Sequence, residues 1–239
     1  MINNKLLNRI NPLFLKGICH RGLHNDIYCE NSILAFKNAI DNNFAFELDV
    51  HLTKDKELVV IHDSTLKRVT LKDGVVEDLT YNELLEYNLL DNTKIPLLSD
   101  VLKLNNEKVP IVVELKAYNK NHKELAKKTL EVLSLIKDKR NILLISFDPR
   151  CLFPLKNKGY VIQLLFCKSA SYTWFFRHFF DGIDIEYGLL KEKKYNRYTK
   201  KHFTNVWTIN NIEIFNSVKQ YIDTCTFELM DKDYIRNNL

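Results

Sequence analysis

The chain has 239 residues, of which 46% are hydrophobic and 27% are charged, and these proportions exclude collagen-like, disordered and multi-span membrane proteins. The net charge of +5 is too small to indicate a nucleic acid partner. Five cysteines are scattered along the chain without a CxxC pair, and no signal-like apolar segment precedes Lys16. We therefore predict a reducing, cytoplasmic location.

Short apolar segments alternate with longer amphipathic segments from residue 16 onward, which is typical of βα units around a parallel sheet. Segments 31–42 and 121–139 have apolar residues at spacings of three and four, so they predict helices that pack on the sheet. Eight runs of β-branched or large apolar residues predict strands at 17–21, 44–53, 111–117, 142–147, 160–167, 182–186, 205–209 and 224–229.

Eight βα units in a chain of this length favour an α/β fold of the closed (β/α)₈ TIM barrel type, although an open doubly wound sheet would show the same alternation. We predict a single domain over residues 1–239. Residues 63–109 lack a clear parallel strand and predict a small insertion after the second strand, above the barrel. Catalytic residues of such barrels lie at the C-terminal ends of the strands.

The second predicted strand alternates strictly between apolar and polar residues over 46–53. Because alternate side chains of a strand face opposite sides, Glu47 and Asp49 should point into the barrel. The same alternation on the third predicted strand points Glu114 inward. Three carboxylates on neighbouring strands suit a hard divalent cation such as Mg²⁺ or Ca²⁺. An internal ion-pair network with Lys116 is the alternative.

Two histidines are predicted to approach these carboxylates from different strands. His20 ends the first predicted strand, and His62 follows the second one after a polar turn. If that turn closes an antiparallel hairpin, Thr53 pairs with Glu57 and Leu48 pairs with His62. His62 would then return to the height of the carboxylates.

Two imidazoles beside an acidic cluster fit the cleavage of an ester, because one removes a proton from the attacking hydroxyl and the other protonates the leaving oxygen. Arg21 and Lys116 add fixed positive charge, and a guanidinium is suited to bidentate binding of a phosphate.

These residues stand in an ordered set of motifs that closely resembles the glycerophosphodiester phosphodiesterase family. Segments 146–148 and 206–210 are similar to the fourth-strand and seventh-strand motifs of that family, so the resemblance covers nearly the whole chain. The main motifs are His20-Arg21-Gly22, Glu30-Asn31-Ser32, Glu47-x-Asp49, His62-Asp63 and Glu114-x-Lys116.

The resemblance implies a (β/α)₈ barrel that hydrolyses glycerophosphodiesters to sn-glycerol 3-phosphate and an alcohol with the help of one divalent cation, Mg²⁺ or Ca²⁺. By position, it implies catalytic roles for His20 and His62, metal ligation by Glu47, Asp49 and Glu114, and substrate binding by Arg21, Lys116 and Trp207.

The last predicted strand departs from the family pattern, because 225–230 reads Cys-Thr-Phe-Glu-Leu-Met where the family has Thr-Asp followed by proline. Two other functions stay open. One is a related barrel enzyme of the phospholipase D type that acts on lysolipids or sphingomyelin, and the other is an inactive barrel that serves as a binding protein. Neither the head group nor the oligomeric state is predicted.

Six aromatic residues crowd the stretch 172–180, and a basic run follows at 191–201. Barrel helices commonly bury aromatic side chains, so we predict that the stretch is core and that the substrates are soluble small molecules. An exposed patch facing a membrane surface is the alternative, and it is not favoured.

Overall fold

The structure is a computed structural model that describes residues 4–239, with side chains from Leu6 onward. Within the described residues, eight strands follow the predicted apolar segments and one further strand, β3, is added. They are β1 (Ile18–Cys19), β2 (Ala45–Leu52), β3 (Leu58–Val60), β4 (Ile111–Leu115), β5 (Ile142–Ser146), β6 (Val161–Phe166), β7 (Gly182–Glu186), β8 (Phe203–Ile209) and β9 (Thr224–Phe227).

Eight of these strands close into a parallel barrel. β1 pairs with β2 on one side and with β9 on the other, and the strands between them pair in the order β2, β4, β5, β6, β7, β8, β9. The predicted α/β fold with a (β/α)₈ barrel is therefore confirmed, and the open-sheet alternative is wrong.

β3 lies outside the barrel and pairs antiparallel with the end of β2. Thr53 N–H donates to the Glu57 carbonyl at 2.9 Å, and Ile61 N–H donates to the Asp49 carbonyl at 3.1 Å. The predicted hairpin register is thus confirmed. It returns the chain to the level of the β2 carboxylates immediately before His62.

The helices surround the barrel, and no described helix is long and apolar enough to span a membrane. They are α1 (Asn4–Leu7), α2 (Ile33–Asp41), α3 (Lys67–Thr70), α4 (Tyr81–Leu84), α5 (Leu98–Asn105), α6 (His122–Leu133), α7 (Pro149–Leu152), α8 (Lys193–Thr199), α9 (Ile212–Val218) and α10 (Lys232–Asn238). Short 3₁₀ segments occupy Pro12–Lys16, Val76–Asp78, Lys139–Asn141, Phe153–Leu155, Ser171–Phe179, Tyr187–Lys191 and Lys219–Tyr221.

The core has two layers because alternate residues of each strand face opposite sides of the barrel wall. The outward apolar residues pack under the helices, as where Phe36 of α2 meets Phe46 with ring centroids 4.9 Å apart. The inward residues at the N-terminal ends of the strands form a second cluster, which Phe14 and Ile10 from the N-terminal segment fill. The bottom of the barrel is therefore closed by apolar side chains.

Part of segment 63–109 has an apolar cluster of its own, in which Leu66 and Leu84 pack with Val59 of β3. α5 instead joins the main core, where it packs against α2. One domain over residues 1–239 with a small insertion at 63–109 remains our proposal, and residues 1–3 of it lie outside the described part.

The structure corrects the prediction that the aromatic stretch 172–180 is core. Tyr172, Phe175 and Phe179 are exposed, whereas Trp174 and Phe176 pack on the main core. The physical reason is that Ser171–Phe179 is a 3₁₀ segment rather than an α-helix. A 3₁₀ helix has three residues per turn and aligns side chains i and i+3, so Tyr172, Phe175 and His178 form one row that faces solvent, and Phe179 is exposed beside it.

A polar layer crosses the barrel interior on β6 to β9. Asn205 Nδ2 donates to Asp184 Oδ2 at 2.8 Å and to Thr226 Oγ1 at 2.7 Å. Asp184 Oδ1 is buried and has no hydrogen-bond partner among the described residues. Burial raises the pKa of Asp184 to about 7, because desolvation disfavours the charged carboxylate.

This raised pKa predicts a specific pH dependence of stability. Between the ordinary pKa of an aspartate and about 7, the folded chain keeps the Asp184 proton and the unfolded chain releases it. The free energy of unfolding should therefore fall as pH rises through this window, by at most about 1.4 kcal/mol per pH unit from this group, and should level off above it. Asp184→Asn should remove that contribution.

Urea unfolding of the parent and Asp184→Asn at several pH values measures the effect, and Asp233→Asn on the exposed first turn of α10 is the matched control. A constant difference in unfolding free energy between the parent and Asp184→Asn from about pH 5 to about pH 8 would contradict the assignment.

Candidate active site

A pocket that is partly open to solvent lies at the C-terminal ends of the barrel strands. Every site residue predicted from the sequence lines it except Asp49, which is buried against Arg21 and Lys116. The lining residues are His20, Arg21, Glu47, His62, Glu114, Lys116, Ile145, Phe147, Leu165, Asp184, Trp207, Thr208 and Thr226.

The three predicted metal-ligating carboxylates converge on one point. Asp49 and Glu114 are direct neighbours in the parallel register of β2 and β4, and Glu47 lies two residues before Asp49 on the same face. One oxygen from each of them lies within 4.8 Å of the other two. Glu47 Oε1 is buried with no hydrogen-bond partner among the described residues, and Asp49 Oδ1 has no hydrogen bond there but lies 3.3 Å from Lys116 Nζ. The unpartnered Glu47 oxygen fits a bound cation.

The pKa values of the three carboxylates are shifted in different directions. Burial and repulsion from Asp49 and Glu114 raise the pKa of Glu47 well above its usual range, and burial also raises the pKa of Glu114. Burial would raise the pKa of Asp49 too, but Lys116, His62 and Arg21 outweigh it and hold that pKa below its usual range. A divalent cation would relieve the repulsion that Glu47 experiences.

Arg21 and Lys116 provide the positive charge next to the cluster. Lys116 Nζ lies 2.8 Å from Glu114 Oε1 and 3.3 Å from Asp49 Oδ1. Arg21 has a left-handed backbone with φ of 52°, and this conformation lets its N–H donate to Glu47 Oε2 at 3.0 Å. The predicted ion-pair network therefore exists, yet it leaves Glu47 Oε1 unsatisfied.

Each histidine has its own carboxylate partner. His20 Nδ1 donates to Glu228 Oε2 at 2.6 Å, and His62 Nδ1 donates to Asp63 Oδ1 at 2.7 Å. Burial lowers the pKa of both imidazoles, and the two carboxylates partly oppose this effect. Because each carboxylate holds Nδ1, Nε2 is the ring nitrogen left for chemistry in the pocket.

A further histidine fixes the position of His62. His51 Nδ1 donates to Glu77 Oε1 at 2.6 Å, and His51 Nε2 donates to the His62 carbonyl at 3.0 Å. His51 thus links the hairpin to the insertion and does not enter the pocket. His24 lies beside the His20–Glu228 pair, with its Nε2 3.6 Å from Glu228 Oε2.

Sequence reasoning missed Glu228 and Asp184 as site residues. Glu228 lies in the last segment, where the chain departs from the family pattern, and that departure was the available signal. Asp184 gave only a weak signal, since a lone aspartate within an apolar strand does not reveal which face it occupies.

One wall of the pocket is apolar. Phe147 and Trp207 meet edge to face with ring centroids 5.6 Å apart, and Leu165 and Ile145 complete this side. Trp207 Nε1 is buried with no hydrogen-bond partner among the described residues. An open groove continues from His62 and Lys116 towards Tyr172.

Comparison with known proteins identifies the family. The family model described as "Glycerophosphoryl diester phosphodiesterase family" matches residues 20–226. A glycerophosphodiester phosphodiesterase of Bacillus altitudinis is 38% identical over 112 residues, which are 44% of this chain and 45% of that protein. A mouse lysophospholipase D is 36% identical over 136 residues, which are 51% of this chain and 42% of that protein. The chain thus spans under half the length of each of these relatives.

A solved structure shares the whole fold. The phosphodiesterase of Oleispira antarctica, in complex with the product sn-glycerol 3-phosphate, superposes with a TM-score of 0.79 at 20% identity, covering 92% of this chain and 94% of that one. With the family model matching most of its length, the chain belongs to the glycerophosphoryl diester phosphodiesterase family.

Proposed function

We propose that the chain is a metal-dependent phosphodiesterase that hydrolyses glycerophosphodiesters to sn-glycerol 3-phosphate and an alcohol by two-histidine acid–base catalysis. The observation that carries the proposal is the pairing of His20 and His62 with separate carboxylates in a pocket that also contains an acidic cluster. Two independently tuned imidazoles are what an acid–base pair requires.

Glu47, Asp49 and Glu114 would hold the divalent cation, Mg²⁺ or Ca²⁺, since hard cations prefer carboxylate oxygens. When bound, such a cation supplies positive charge that polarises a phosphoryl oxygen. Arg21 and Lys116 border the same space, and they would bind the phosphate through charge-assisted hydrogen bonds.

The two histidines would move the protons. Nε2 of one imidazole accepts the proton of the attacking hydroxyl, and Nε2 of the other donates a proton to the leaving oxygen. Glu228 and Asp63 hold the Nδ1–H tautomers that this division needs. Their negative charge also stabilises whichever imidazole carries the second proton.

The pocket suits a small polar substrate that places its carbon atoms against the apolar wall. Trp207 and Phe147 would cover the carbon atoms of a glycerol group, while Trp207 Nε1 and Asp184 Oδ1 offer unused hydrogen-bonding atoms. The sn-glycerol 3-phosphate bound to the Oleispira protein supports this product. All five cysteines are free, which supports a cytoplasmic location.

A related activity on lysolipids or sphingomyelin is the second candidate, and the identity with the mouse lysophospholipase D favours it. Both activities need the same cation and histidines, so they differ in what occupies the groove towards Tyr172. A catalytically inactive binding barrel is the third candidate.

Product analysis tests the proposed activity. The chain is incubated with glycerophosphocholine, glycerophosphoethanolamine and lysophosphatidylcholine, with Mg²⁺, with Ca²⁺ or with a chelator, and the products are identified by ³¹P NMR. We expect sn-glycerol 3-phosphate, and only with added metal. A lysolipid preference of about a hundredfold in kcat/KM, equal to about 2.7 kcal/mol of transition-state stabilisation, would favour the second candidate. No turnover of any substrate would favour the inactive barrel.

The metal site predicts a selective loss on Glu47→Gln. Removing one of three charged ligands should weaken binding of Mg²⁺ or Ca²⁺ by about a hundredfold or more and lower turnover accordingly. Isothermal titration calorimetry measures the affinity, and Glu213→Gln on the exposed face of α9 is the matched control. Parent-like metal affinity in Glu47→Gln would show that the site is elsewhere.

The proposed histidine pair predicts a bell-shaped pH dependence of kcat, because one imidazole must be neutral and the other charged. Replacement of either histidine by alanine should lower kcat by about 10²–10⁴ and change metal affinity little. Because Glu228 opposes the lowering of the His20 pKa, Glu228→Gln should lower that pKa further and move one limb of the bell to lower pH. Movement of the acidic limb makes His20 the base, and movement of the alkaline limb makes it the acid.

Asp63→Asn is the matched experiment for His62 and should move the other limb. The assignment of the two histidines is wrong if His62→Ala turns over substrate at the parent rate, or if neither carboxamide variant moves a limb.

A further inference from the structure

Two neighbouring segments outside the pocket form a surface that the proposed reaction does not use. The first is the 3₁₀ segment, whose solvent-facing row at spacing three is Tyr172, Phe175 and His178. Phe175 is 76% exposed and Tyr172 is 67% exposed. The second is the basic run over 191–201 that contains α8. We call the row and the run together the aromatic–basic face.

Side-chain packing joins the two segments into one unit. Trp174 of the 3₁₀ segment contacts Tyr195 and Tyr198 of α8, with ring centroids 4.7 and 5.1 Å apart. The Arg177 guanidinium lies over the Trp174 ring at 4.6 Å and donates to the Trp174 carbonyl at 2.7 Å. The exposed aromatic row and the basic run are therefore held side by side.

The excess of basic over acidic residues in the chain is located in the basic run of this face. Residues 191–201 contain six basic residues and one acidic residue, Glu192, which is an excess of five and equals the net charge of the entire chain. The rest of the chain is electrically balanced. Glu192 pairs with Lys194 at 3.4 Å, and within residues 4–239 the other five basic side chains of the run have no carboxylate within ion-pair distance. These five are Lys191, Lys193, Arg197, Lys200 and Lys201.

We propose that the aromatic–basic face binds the surface of a lipid bilayer that contains anionic lipids. Exposed aromatic side chains gain free energy when they enter the boundary between head groups and acyl chains, and juxtaposed Lys and Arg are attracted by anionic head groups. Tyr172 belongs to both this face and the groove that leads to His62 and Lys116. Binding would therefore place one rim of the pocket beside the membrane.

Charge complementarity selects lipid over a second copy of the chain. A two-fold symmetric dimer brings the same patch of both copies together, so the two basic runs would face each other and repel. An anionic bilayer has the opposite charge and also accepts Phe175, a side chain with no polar group to satisfy.

Vesicle sedimentation tests the proposal with the full chain. The two probes are vesicles of phosphatidylcholine alone and vesicles with roughly 30% phosphatidylglycerol at low and high salt. We expect binding to the anionic vesicles that weakens with salt, and little binding to the neutral ones. Phe175→Ser and the double variant Lys193→Gln/Lys194→Gln should each weaken binding by about tenfold or more.

The matched controls lie near the N-terminal end of the barrel. Leu135→Ser removes an exposed apolar side chain, and Lys103→Gln/Lys108→Gln removes two exposed charges, and both should bind like the parent. Turnover of soluble glycerophosphocholine by each variant reports folding separately from vesicle binding, so failure of the proposed activity and failure of this inference are distinguishable. If the parent has no turnover, circular dichroism is used instead to check that each variant is folded.

Several results would overturn the inference. They are equal binding to both kinds of vesicle, equal loss in the control variants, and no vesicle binding by the parent. Light scattering that shows a parent dimer lost in Phe175→Ser would assign the face to self-association instead. Binding to a single-stranded oligonucleotide without binding to anionic vesicles would assign it to nucleic acid.

Discussion

The mutual repulsion of three buried carboxylates is the constraint on which the site depends. The register of β2 and β4 places Glu47, Asp49 and Glu114 together whether or not a cation is bound. Uncompensated charge at such depth costs several kcal/mol, so the surrounding structure must supply opposite charge. Lys116 and Arg21 do so, and the left-handed backbone of Arg21 is part of the arrangement, since it directs an N–H at Glu47.

A continuous series of ion pairs extends from Arg21 away from the carboxylate cluster. Glu30 binds both Arg21 and Arg68, and Arg68 in turn binds Asp63, which holds His62. The position of the His62 imidazole is thereby connected to the carboxylate cluster through Glu30 and Arg68, which lie outside the pocket. Because Glu30 and Arg68 each bind two partners, removal of either group breaks two contacts at once, which costs more than the loss of one exposed ion pair would.

Much of this arrangement was predictable because it depends on local periodicity. Strand alternation placed Glu47 and Asp49 inward, and the turn length set the hairpin register that returns His62. Glu228 was not predictable in this way, because its contact with His20 depends on closure of β1 on β9. The exposed aromatic row was missed because apolar composition predicts burial in an α-helix, while the observed 3₁₀ segment turns every third side chain outward.

Barrel closure by the first and last strands also sets an order of assembly during synthesis. β1 is translated early, but its partner β9 and the carboxylate that holds His20 emerge more than 200 residues later. β2 and β4 are much closer in the chain, so all three carboxylates of the cluster are synthesised well before the partner of His20. Until β9 arrives, β1 presents an unpaired strand edge, and such edges are prone to pair with other chains. A chain that ends before residue 224 would lack both β9 and Glu228, so β1 would have no closing strand and His20 no carboxylate partner.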